Sequence, residues 1–429
     1  MTQTTNRFRN YFLQQKALFY RNYRLFMAGQ TLSLIGTWIQ RMAMMWLAYK
    51  LTNSALLLGV IGFCEQVPIL LIAPFAGVYA DRWNRHRALC WIEAFALLQA
   101  LVLGLLTLAG MVEVWHLVLL SLFLGIINAF EVPIRQSFVV EMVDGNKESL
   151  PNAIALNSTL FNLSRLIGPS IAGILIGAVG EGWCFIANAI SYALVVVFLL
   201  WMRISESRQA PIGEAQVFRK LKEGIQYIRS SNLMLSLLLM LAVVSFANAS
   251  LRTLAPIFAK DVLLGDAHTL GFLMTATGVG AICGAIFLTK RKSMARLKRI
   301  VSFTGILLAT GMLCFAISRS LPLSLIFIAI GGLGQMMHTA STNTILQLSV
   351  DDDKRGRVMS FYTVCLQGTM PFGSLVAGAI AGALGGPWAM ALMGLVCLLG
   401  TLFFRVRNIR SRMDKIHEHH HHLRAKDAD

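Results

Sequence analysis

Long stretches without a single charged side chain constrain this sequence more than any other feature. The longest runs from 358 to 404, which is 47 residues without Asp, Glu, Lys or Arg, and it contains the turn-forming string Gly385-Gly386-Pro387. Another uncharged stretch covers 320–350. A helix needs about 20 apolar residues to cross the roughly 30 Å of hydrocarbon in a bilayer. The first stretch therefore predicts two membrane-spanning helices with a tight turn between them, and the second predicts one.

Composition agrees with a membrane protein throughout. Hydrophobic residues make up 56% of the chain and charged residues 14%, and the mean hydropathy is +0.63. A soluble protein of 429 residues could not cover that much apolar surface, which argues against the alternative of buried helices in a large soluble domain. We predict twelve spanning helices, at approximately 25–49, 55–80, 88–110, 114–136, 153–178, 182–202, 232–258, 267–289, 300–318, 322–348, 357–383 and 387–405.

The distribution of Lys and Arg predicts the orientation of these helices. With the N-terminus in the cytoplasm, 31 of the 38 basic residues fall on the cytoplasmic side, 3 on the opposite side and 4 within or at the ends of helices. Cytoplasmic loops carry the excess of basic residues in membrane proteins. Both termini are therefore expected in the cytoplasm. No short apolar run with a cleavage site begins the chain, so we expect no cleaved signal peptide.

The net charge of +17 and the pI near 10.0 do not indicate a nucleic-acid partner. The basic residues are spread over every predicted cytoplasmic loop, where they face anionic headgroups of membrane lipids. The seven Cys residues lie in or at the ends of predicted helices without metal-ligand spacing, so we expect neither a disulfide nor a metal site. The His-rich end, from His417 to His422, allows weak metal binding but is more typical of a solvated tail.

Matching glycines indicate an internal repeat. Gly168, Gly173 and Gly177 recur as Gly373, Gly378 and Gly382 at a constant offset of 205. We predict five regions: an N-terminal arm at 1–24, a first six-helix half at 25–202, a linker with an amphipathic helix at 203–231, a second half at 232–405, and a basic, His-rich tail at 406–429. Phe218, Leu221, Ile225 and Ile228 have the helical spacing expected of an amphipathic surface helix.

A charged loop between the second and third predicted helices carries a recognisable signature. Gly77, Asp81, Arg82, Arg85 and Arg87 follow the pattern G-x-x-x-D-R-x-x-R-x-R. This pattern resembles the loop signature of the major facilitator superfamily. The resemblance implies an all-α transporter with two pseudo-symmetric six-helix halves around a central cavity, and it places the loop at the cytoplasmic gate. Glu131 and Arg135, four residues apart, are expected partners of that loop, together with Glu93.

Several strings resemble bacterial exporters of the third drug–proton antiporter family. These are Gly36 to Arg41, Glu131 to Gln136, Leu150 to Ala153 and Arg165 to Pro169. The resemblance implies export of small amphipathic molecules, drug-like or siderophore-like, through the bacterial inner membrane, in exchange for protons and without a cofactor. Import or facilitated diffusion, and a lipid flippase on the same scaffold, remain alternatives. We expect a monomer.

Helix five carries Gly168-Pro169-x-x-x-Gly173, which resembles the antiporter signature of that family. The string has one residue more after the proline than the usual form and lacks a second adjacent glycine, so the direction of transport stays open. Small residues allow close approach of neighbouring helices. Gly168, Pro169 and Gly173, with Gly373 and Gly378 in the repeat, are therefore predicted to be helix-packing positions.

Charged residues within the predicted spans are the candidates for coupling and binding, because each costs about 2.5–3.5 kcal/mol at the bilayer centre. Glu65 is the mid-helix carboxylate that we expect to carry a proton, with Arg41 as its charge partner; a structural ion pair is the alternative. His338 is a second, weaker proton candidate. The remaining cavity candidates are polar or cationic: Asn162, Arg165, Arg252, Gln335, Asn343 and Gln367. No hydrolase, metalloprotease or ATP-binding motif occurs, so we do not expect an enzyme.

Overall fold

A computed structural model describes residues 16–80, 83–143, 146, 148–203, 223, 225–289, 293–351 and 354–405. In this part of the chain the regular structure is helical, without strands. The helices are α1 (Arg21–Thr52), α2 (Ala55–Ala80), α3 (Arg85–Leu108), α4 (Val114–Met142), α5 (Leu150–Val179), α6 (Glu181–Leu200), α7 (Asn232–Thr253), α8 (Ala267–Thr289), α9 (Met294–Ile317), α10 (Leu321–Ser349), α11 in two pieces (Arg355–Gln367 and Met370–Leu384) and α12 (Gly386–Arg405).

The prediction of an all-α membrane protein is confirmed. Among the described residues, eleven helices are long and apolar enough to span a bilayer. The helix that falls outside this set is α1, which is 32 residues long but contains polar residues, among them Gln30, Gln40 and Arg41. Most of these polar groups face other helices, since Gln30 and Gln40 are each 1% exposed. The length of α1 is sufficient for a spanning helix, and its polar residues lower its mean hydropathy.

Tight glycine turns occur twice, at the spacing of the repeat that the sequence indicated. Gly180 separates α5 from α6, and Gly385 separates α11 from α12; both have a φ of +88°. This backbone conformation is open to glycine and disfavoured for residues with a Cβ. The two glycines are 205 residues apart, the same offset as the helix-packing glycines. The turn predicted at Gly385-Gly386-Pro387 is therefore present, and its counterpart lies at Gly180.

Close helix contacts also recur at equivalent positions. A Cβ on Gly125 of α4 would lie 2.5 Å from the carbonyl oxygen of Glu65 in α2, and a Cβ on Gly332 of α10 would clash with the carbonyl oxygen of Thr277 in α8. Gly168 of α5 lies against Trp38 of α1, and Gly373 of α11 against Phe246 of α7. The glycines thus let the same helix pairs approach closely in both repeats.

By its contacts the chain divides into two compact units. The first contains the described residues of Met1–Glu214 together with Ala255–Thr275, and the second those of Ala215–Leu254 and Ala276–Asp429. In the first unit α1 packs against α5 and α6, α2 against α4, and α3 against α6; in the second, α9 packs against α10, and α7 against both pieces of α11. The segment 255–275 follows α7 in sequence but packs with the first six helices.

The predicted amphipathic linker helix is only partly covered by the described residues. Phe218 and Leu221 lie outside them, whereas residues 225–230 are helical. On this short helix Ile228 is buried and Ile225 is 40% exposed. Glu223 pairs with Arg357 at 2.7 Å and the Tyr227 hydroxyl donates to Asp351 at 3.0 Å, so the end of the linker is tied to the region around the start of α11.

Candidate functional site

The charged loop that carries the signature is described from Trp83 onward. Asp81 and Arg82 lie outside the described residues, and of Gly77 the structure gives only its place within α2. Asn84 caps α3, since its Oδ1 accepts a hydrogen bond from the backbone N–H of Arg87 at 3.0 Å. Arg85 donates to Glu141, with 2.7 Å between Nη1 and Oε1. Glu141, near the end of α4, is thus a partner of the loop that the sequence did not indicate.

Four polar residues of α1, α3 and α4, two buried and two partly exposed, form one group, which we call the Glu93 cluster: Gln30, Glu93, Glu131 and Arg135. Arg135 pairs with Glu131 at 3.0 Å within α4, as their i, i+4 spacing predicted. Its Nη1 also donates to Gln30 Oε1 at 3.1 Å, and Gln30 Nε2 donates to Glu93 Oε1 at 3.4 Å. The amide of Gln30 therefore links the guanidinium to Glu93, which was expected to join this group.

Glu93 lacks a full set of partners. Glu93 is 2% exposed, and its Oε2 is buried without a hydrogen bond among the described residues. A neighbouring buried network shows the contrast, because Gln40 donates to Gln99 at 2.8 Å and accepts from Asn188 at 2.7 Å. Buried polar atoms in proteins normally have such partners. Ten buried side-chain atoms of the described residues lack a partner, and the oxygen of Glu93 is the one among them that belongs to a carboxyl group.

Arg41 of α1 and Glu65 of α2 form the ion pair that the sequence predicted. Arg41 Nε lies 2.7 Å from Glu65 Oε1, and the side chains are 25% and 16% exposed. The Nε–H is not aligned with that oxygen, so attraction between charges dominates over a directed hydrogen bond. The Arg41 guanidinium also lies 5.5 Å from the ring centroid of Trp38, within the range of a cation–π contact. This pair carries one positive and one negative charge.

Arg165 is the cation of α5, and it has no ion pair or hydrogen bond in the described part of the chain. It is partly exposed, in the middle of a 30-residue helix. Asn162, one turn earlier, donates to the carbonyl of Ser158 at 2.8 Å and so satisfies its own helix. Ser164 is buried, and its hydroxyl has no hydrogen bond. Arg165 is therefore a cation at membrane depth whose compensating charge is not supplied by the described protein.

The polar residues of α10 do not share one environment. His338, Ser341 and Thr342 are each 0% exposed, and His338 Nδ1 lies 3.2 Å from the hydroxyl of Thr304 in α9. These three side chains are therefore enclosed by protein. Gln335 and Asn343 are partly exposed; Gln335 bonds to Thr339 at 3.3 Å, and Asn343 accepts from Gln347 at 2.6 Å.

The remaining candidates lie in α7 and α11. Arg252, at the end of α7, has its Nη2 3.8 Å from the sulfur of Met370. Gln367 is exposed at the end of the first piece of α11. Gly173 of α5 packs against Gly271 of α8, with 3.1 Å between its ideal Cβ and the Cα of Gly271, whereas Pro169 and Gly378 are buried. These packing positions agree with the roles predicted for small residues.

The comparison with protein families decides the identity of this fold. The family model described as "transmembrane secretion effector" matches residues 17–427, nearly the whole chain. The chain belongs to this family of the major facilitator superfamily. It is therefore a membrane transporter and not an enzyme.

Relatives of this transporter move siderophores and drugs. The staphyloferrin A transporter of Staphylococcus aureus is 25% identical over 399 residues, covering 91% of this chain and 98% of that protein. Macrolide efflux protein A of Streptococcus pyogenes is 23% identical over 379 residues, covering 85% and 92%. A crystal structure of a bacterial homolog of the human lysosomal transporter Spinster, inward-facing and occupied, matches with a TM-score of 0.72 and 15% identity, covering 90% and 96%; this likeness shows the fold alone.

One group of polar contacts in the transporter could not be predicted from the sequence. The Tyr49 hydroxyl at the end of α1 donates to Asp261, and Lys260 donates to Asn53 at 2.6 Å. Residues 260 and 261 belong to a single π-helical turn, Phe258–Val262, that follows α7. In the same unit Ser170 of α5 and Thr275 of α8 have their hydroxyl oxygens 2.6 Å apart. The segment 255–275 is thus held on the first six helices by polar contacts as well as by glycine packing.

No metal site was found among the described residues, where no three His, Cys, Asp or Glu side chains are grouped suitably. All seven Cys residues are described, and each is a free thiol.

Local sequence explains most of the single contacts in the transporter, such as the Glu131–Arg135 pair. The links between helices, such as those through Gln30, depend on the tertiary packing.

Proposed function

We propose that this transporter exports small amphipathic compounds across the cytoplasmic membrane of a bacterium by alternating access, in exchange for protons. The observation that carries the proposal is the guanidinium of Arg165 at membrane depth, which has no partner among the described residues. A charge there costs about 2.5–3.5 kcal/mol on insertion scales. A substrate that supplies an anionic or hydrogen-bond-accepting group would offset this cost during transport.

Arginine suits this role because its planar guanidinium binds carboxylates through two parallel hydrogen bonds. Asn162 on the preceding turn supplies a further polar group on α5. Arg252, Gln335, Asn343 and Gln367 are the candidates for substrate contacts in the second unit. We propose that the substrate has an apolar body and a polar or anionic group, which Arg165 binds.

Export is supported by the macrolide efflux relative and by the multidrug efflux pump Tap of Mycolicibacterium fortuitum, which is 22% identical over 359 residues, covering 82% of this chain and 87% of that protein. A siderophore is the second candidate substrate. It is favoured by the staphyloferrin A transporter, of which this chain covers 98%. Siderophores carry oxygen-rich acidic groups, so the same Arg165 would suit them.

Proton exchange requires a group that gains and loses a proton during the cycle. Glu65 remains a candidate, because it is a partly exposed carboxylate beside Arg41. His338 is less favourable as a carrier, because its ring is fully buried between α9 and α10. We further propose that Asp81, Arg82, Arg85 and Arg87 belong to the gate at the cytoplasmic end, where Arg85 has Glu141 as its partner.

The test measures transport directly in everted membrane vesicles, whose outer surface is the cytoplasmic face. Radiolabelled macrolide and iron-free staphyloferrin A serve as probes, under an imposed pH gradient that is acidic inside. We expect uptake of at least one probe by vesicles containing the wild type. Arg165→Gln should weaken apparent affinity roughly 10- to 100-fold, since a hydrogen bond to a charged group is worth about 1.5–3 kcal/mol.

Arg165→Lys keeps the charge but cannot form the two parallel hydrogen bonds of a guanidinium. Its apparent affinity should lie between those of the wild type and Arg165→Gln. Arg405→Gln, at the exposed end of α12, is the matched control for loss of one cation and should leave affinity unchanged. Uptake driven only by an alkaline interior would contradict export in exchange for protons. Equal affinity in the wild type and Arg165→Gln would remove Arg165 from the binding site.

A further inference from the structure

We propose that Glu93 carries an exchangeable proton, and that Arg135 controls this proton by changing its partner between Glu131 and Glu93. The inference rests on the proposed exchange of substrate for protons and names a second residue for it. It starts from one buried atom, Glu93 Oε2, which has no hydrogen-bond partner. An ionised carboxylate in such a place loses its hydration without compensation, whereas the neutral carboxyl group loses much less.

Charges around Glu93 lead to the same conclusion. The groups that face it are Gln30 from α1, Glu131 and Arg135 from α4, and Tyr192 from α6, whose hydroxyl lies 3.1 Å from that of Thr37. Cys90 lies one turn before it on α3. Glu131 repels a charge on Glu93 and Arg135 attracts it. Among the described residues the cluster thus contains two carboxyl groups and one permanent cation, and Arg135 is already paired with Glu131 at 3.0 Å.

One proton balances this cluster. With Glu131 ionised and paired to Arg135, a neutral Glu93 leaves no net charge among the three groups. A guanidinium stays protonated in proteins, so the exchangeable proton has to belong to a carboxyl group. The Arg41–Glu65 pair differs in this respect, because its single acid is balanced by a single cation. The Glu93 cluster therefore holds a proton in its resting arrangement, and the Arg41–Glu65 pair has no need of one.

The arrangement also offers a route for exchange. Arg135 Nε is a buried donor without a partner, and Gln30 already links the same guanidinium to Glu93. When Arg135 moves from Glu131 to Glu93, the O–H bond of Glu93 breaks and its electron pair stays on the carboxylate oxygen. Glu131, no longer paired, accepts the proton. The net charge of the cluster is unchanged, and the proton has moved from α3 to α4, from a 2% exposed residue to a side chain that is 18% exposed.

The first arm of the test observes the proton without transport. Infrared spectra of the purified full-length protein in detergent at neutral pH should contain the carbonyl stretch of a protonated carboxyl group. Glu93→Gln should remove this band, because Gln keeps the shape of the side chain but has no carboxyl group. Glu65→Gln is the matched control and should keep the band. Thermal unfolding of each variant verifies that it is folded.

The second arm measures coupling in proteoliposomes with the probe that the wild type transports. Glu93→Gln should lose uphill transport driven by a pH gradient and keep exchange of labelled for unlabelled probe, whereas a purely structural role of Glu93 would impair both. A band that persists in Glu93→Gln, or uphill transport with the wild-type pH profile, overturns the inference. A wild type that ignores the pH gradient while its band disappears in Glu93→Gln contradicts proton exchange as the function, but leaves Glu93 as the protonated residue.

Discussion

Glu65 and Glu93 are chemically identical side chains in consecutive helices, and their partners give them different properties. Glu65 lies beside the guanidinium of Arg41 and keeps some contact with solvent. Glu93 is enclosed and accepts a single long hydrogen bond from Gln30. Spacing along the chain indicated Glu65 as the mid-membrane acid, but it contains no information on which acid has an unsatisfied oxygen. That distinction depends on α1, α3 and α4 together.

The Arg41–Glu65 pair permits a prediction that separates a structural role from a coupling role. Glu65→Gln leaves Arg41 uncompensated and should lower the free energy of unfolding by about 1–3 kcal/mol, less than for a fully buried pair because both side chains are partly exposed. The double variant with Arg41→Gln should recover part of this loss. Thermal unfolding in detergent measures both effects.

Transport by the same variants gives the second half of this prediction. If Glu65 carries protons, both the single and the double variant should lose uphill transport under an imposed pH gradient, while exchange of probe remains. If the pair is only structural, the double variant should regain uphill transport together with stability. A single variant with normal stability and normal pH dependence would exclude both roles.

Glycines at the contacts between helices, here called glycine seams, determine how closely the helices approach. Small residues in the sequence indicate that such contacts exist. Gly332 on α10 faces the backbone carbonyl of Thr277 on α8, so a methyl group there has to displace a helix. We expect Gly332→Ala to destabilise the protein by about 1–3 kcal/mol, the usual cost of overpacking a tightly packed site. Gly125→Ala, at the equivalent seam between α4 and α2, should behave in the same way. The shift in the unfolding transition in detergent measures the cost.

Gly356→Ala is the matched control for the glycine variants. Gly356 lies in the first turn of α11 and has open space where a Cβ would be. Alanine is favoured over glycine in helices by about 1 kcal/mol, so this variant should be neutral or slightly more stable. Equal losses in Gly332→Ala and Gly356→Ala would argue against close packing as the function of these glycines.

Helix ends show where prediction from the sequence stops. The predicted span 114–136 ends soon after Pro133, but α4 continues to Met142. The added turns contain Glu141, whose charge is compensated by Arg85 from another helix. A charged residue near the end of an apolar stretch suggests a loop when the sequence is considered alone. Only the partner on α3 explains why the helix continues through it.

The whole molecule has an uneven distribution of basic residues, which predicts its orientation. Of 38 Lys and Arg residues, 31 lie on the side assigned to the cytoplasm and 3 on the opposite side. Under the positive-inside rule, a green fluorescent protein fused after residue 429 should fluoresce, and alkaline phosphatase at the same position should be inactive. A fusion of alkaline phosphatase in the predicted external loop around Val112 should be active.

An active phosphatase after residue 429 together with an inactive one around Val112 would show the reverse orientation. The charged loop of the proposed gate would then lie outside the cytoplasm. Active phosphatase at the C-terminus alone would instead indicate an odd number of spans, in conflict with twelve predicted helices. A second external site serves as the control, the loop at Gly180, which the same topology places outside the cytoplasm. Activity there should match activity at Val112, because both loops follow an odd-numbered helix.

Hydropathy and charge determined the class, the number of spans and the expected orientation, because the bilayer imposes the same rule on every spanning segment. The repeat was also visible, since glycines at an offset of 205 meet the same packing need in each repeat. The sequence could not determine which polar side chains are satisfied. Within the described part of the chain His338 is enclosed, Arg165 has no ion pair or hydrogen bond, and one oxygen of Glu93 has no partner. These properties arise where helices far apart in sequence meet, so only the tertiary structure decided them.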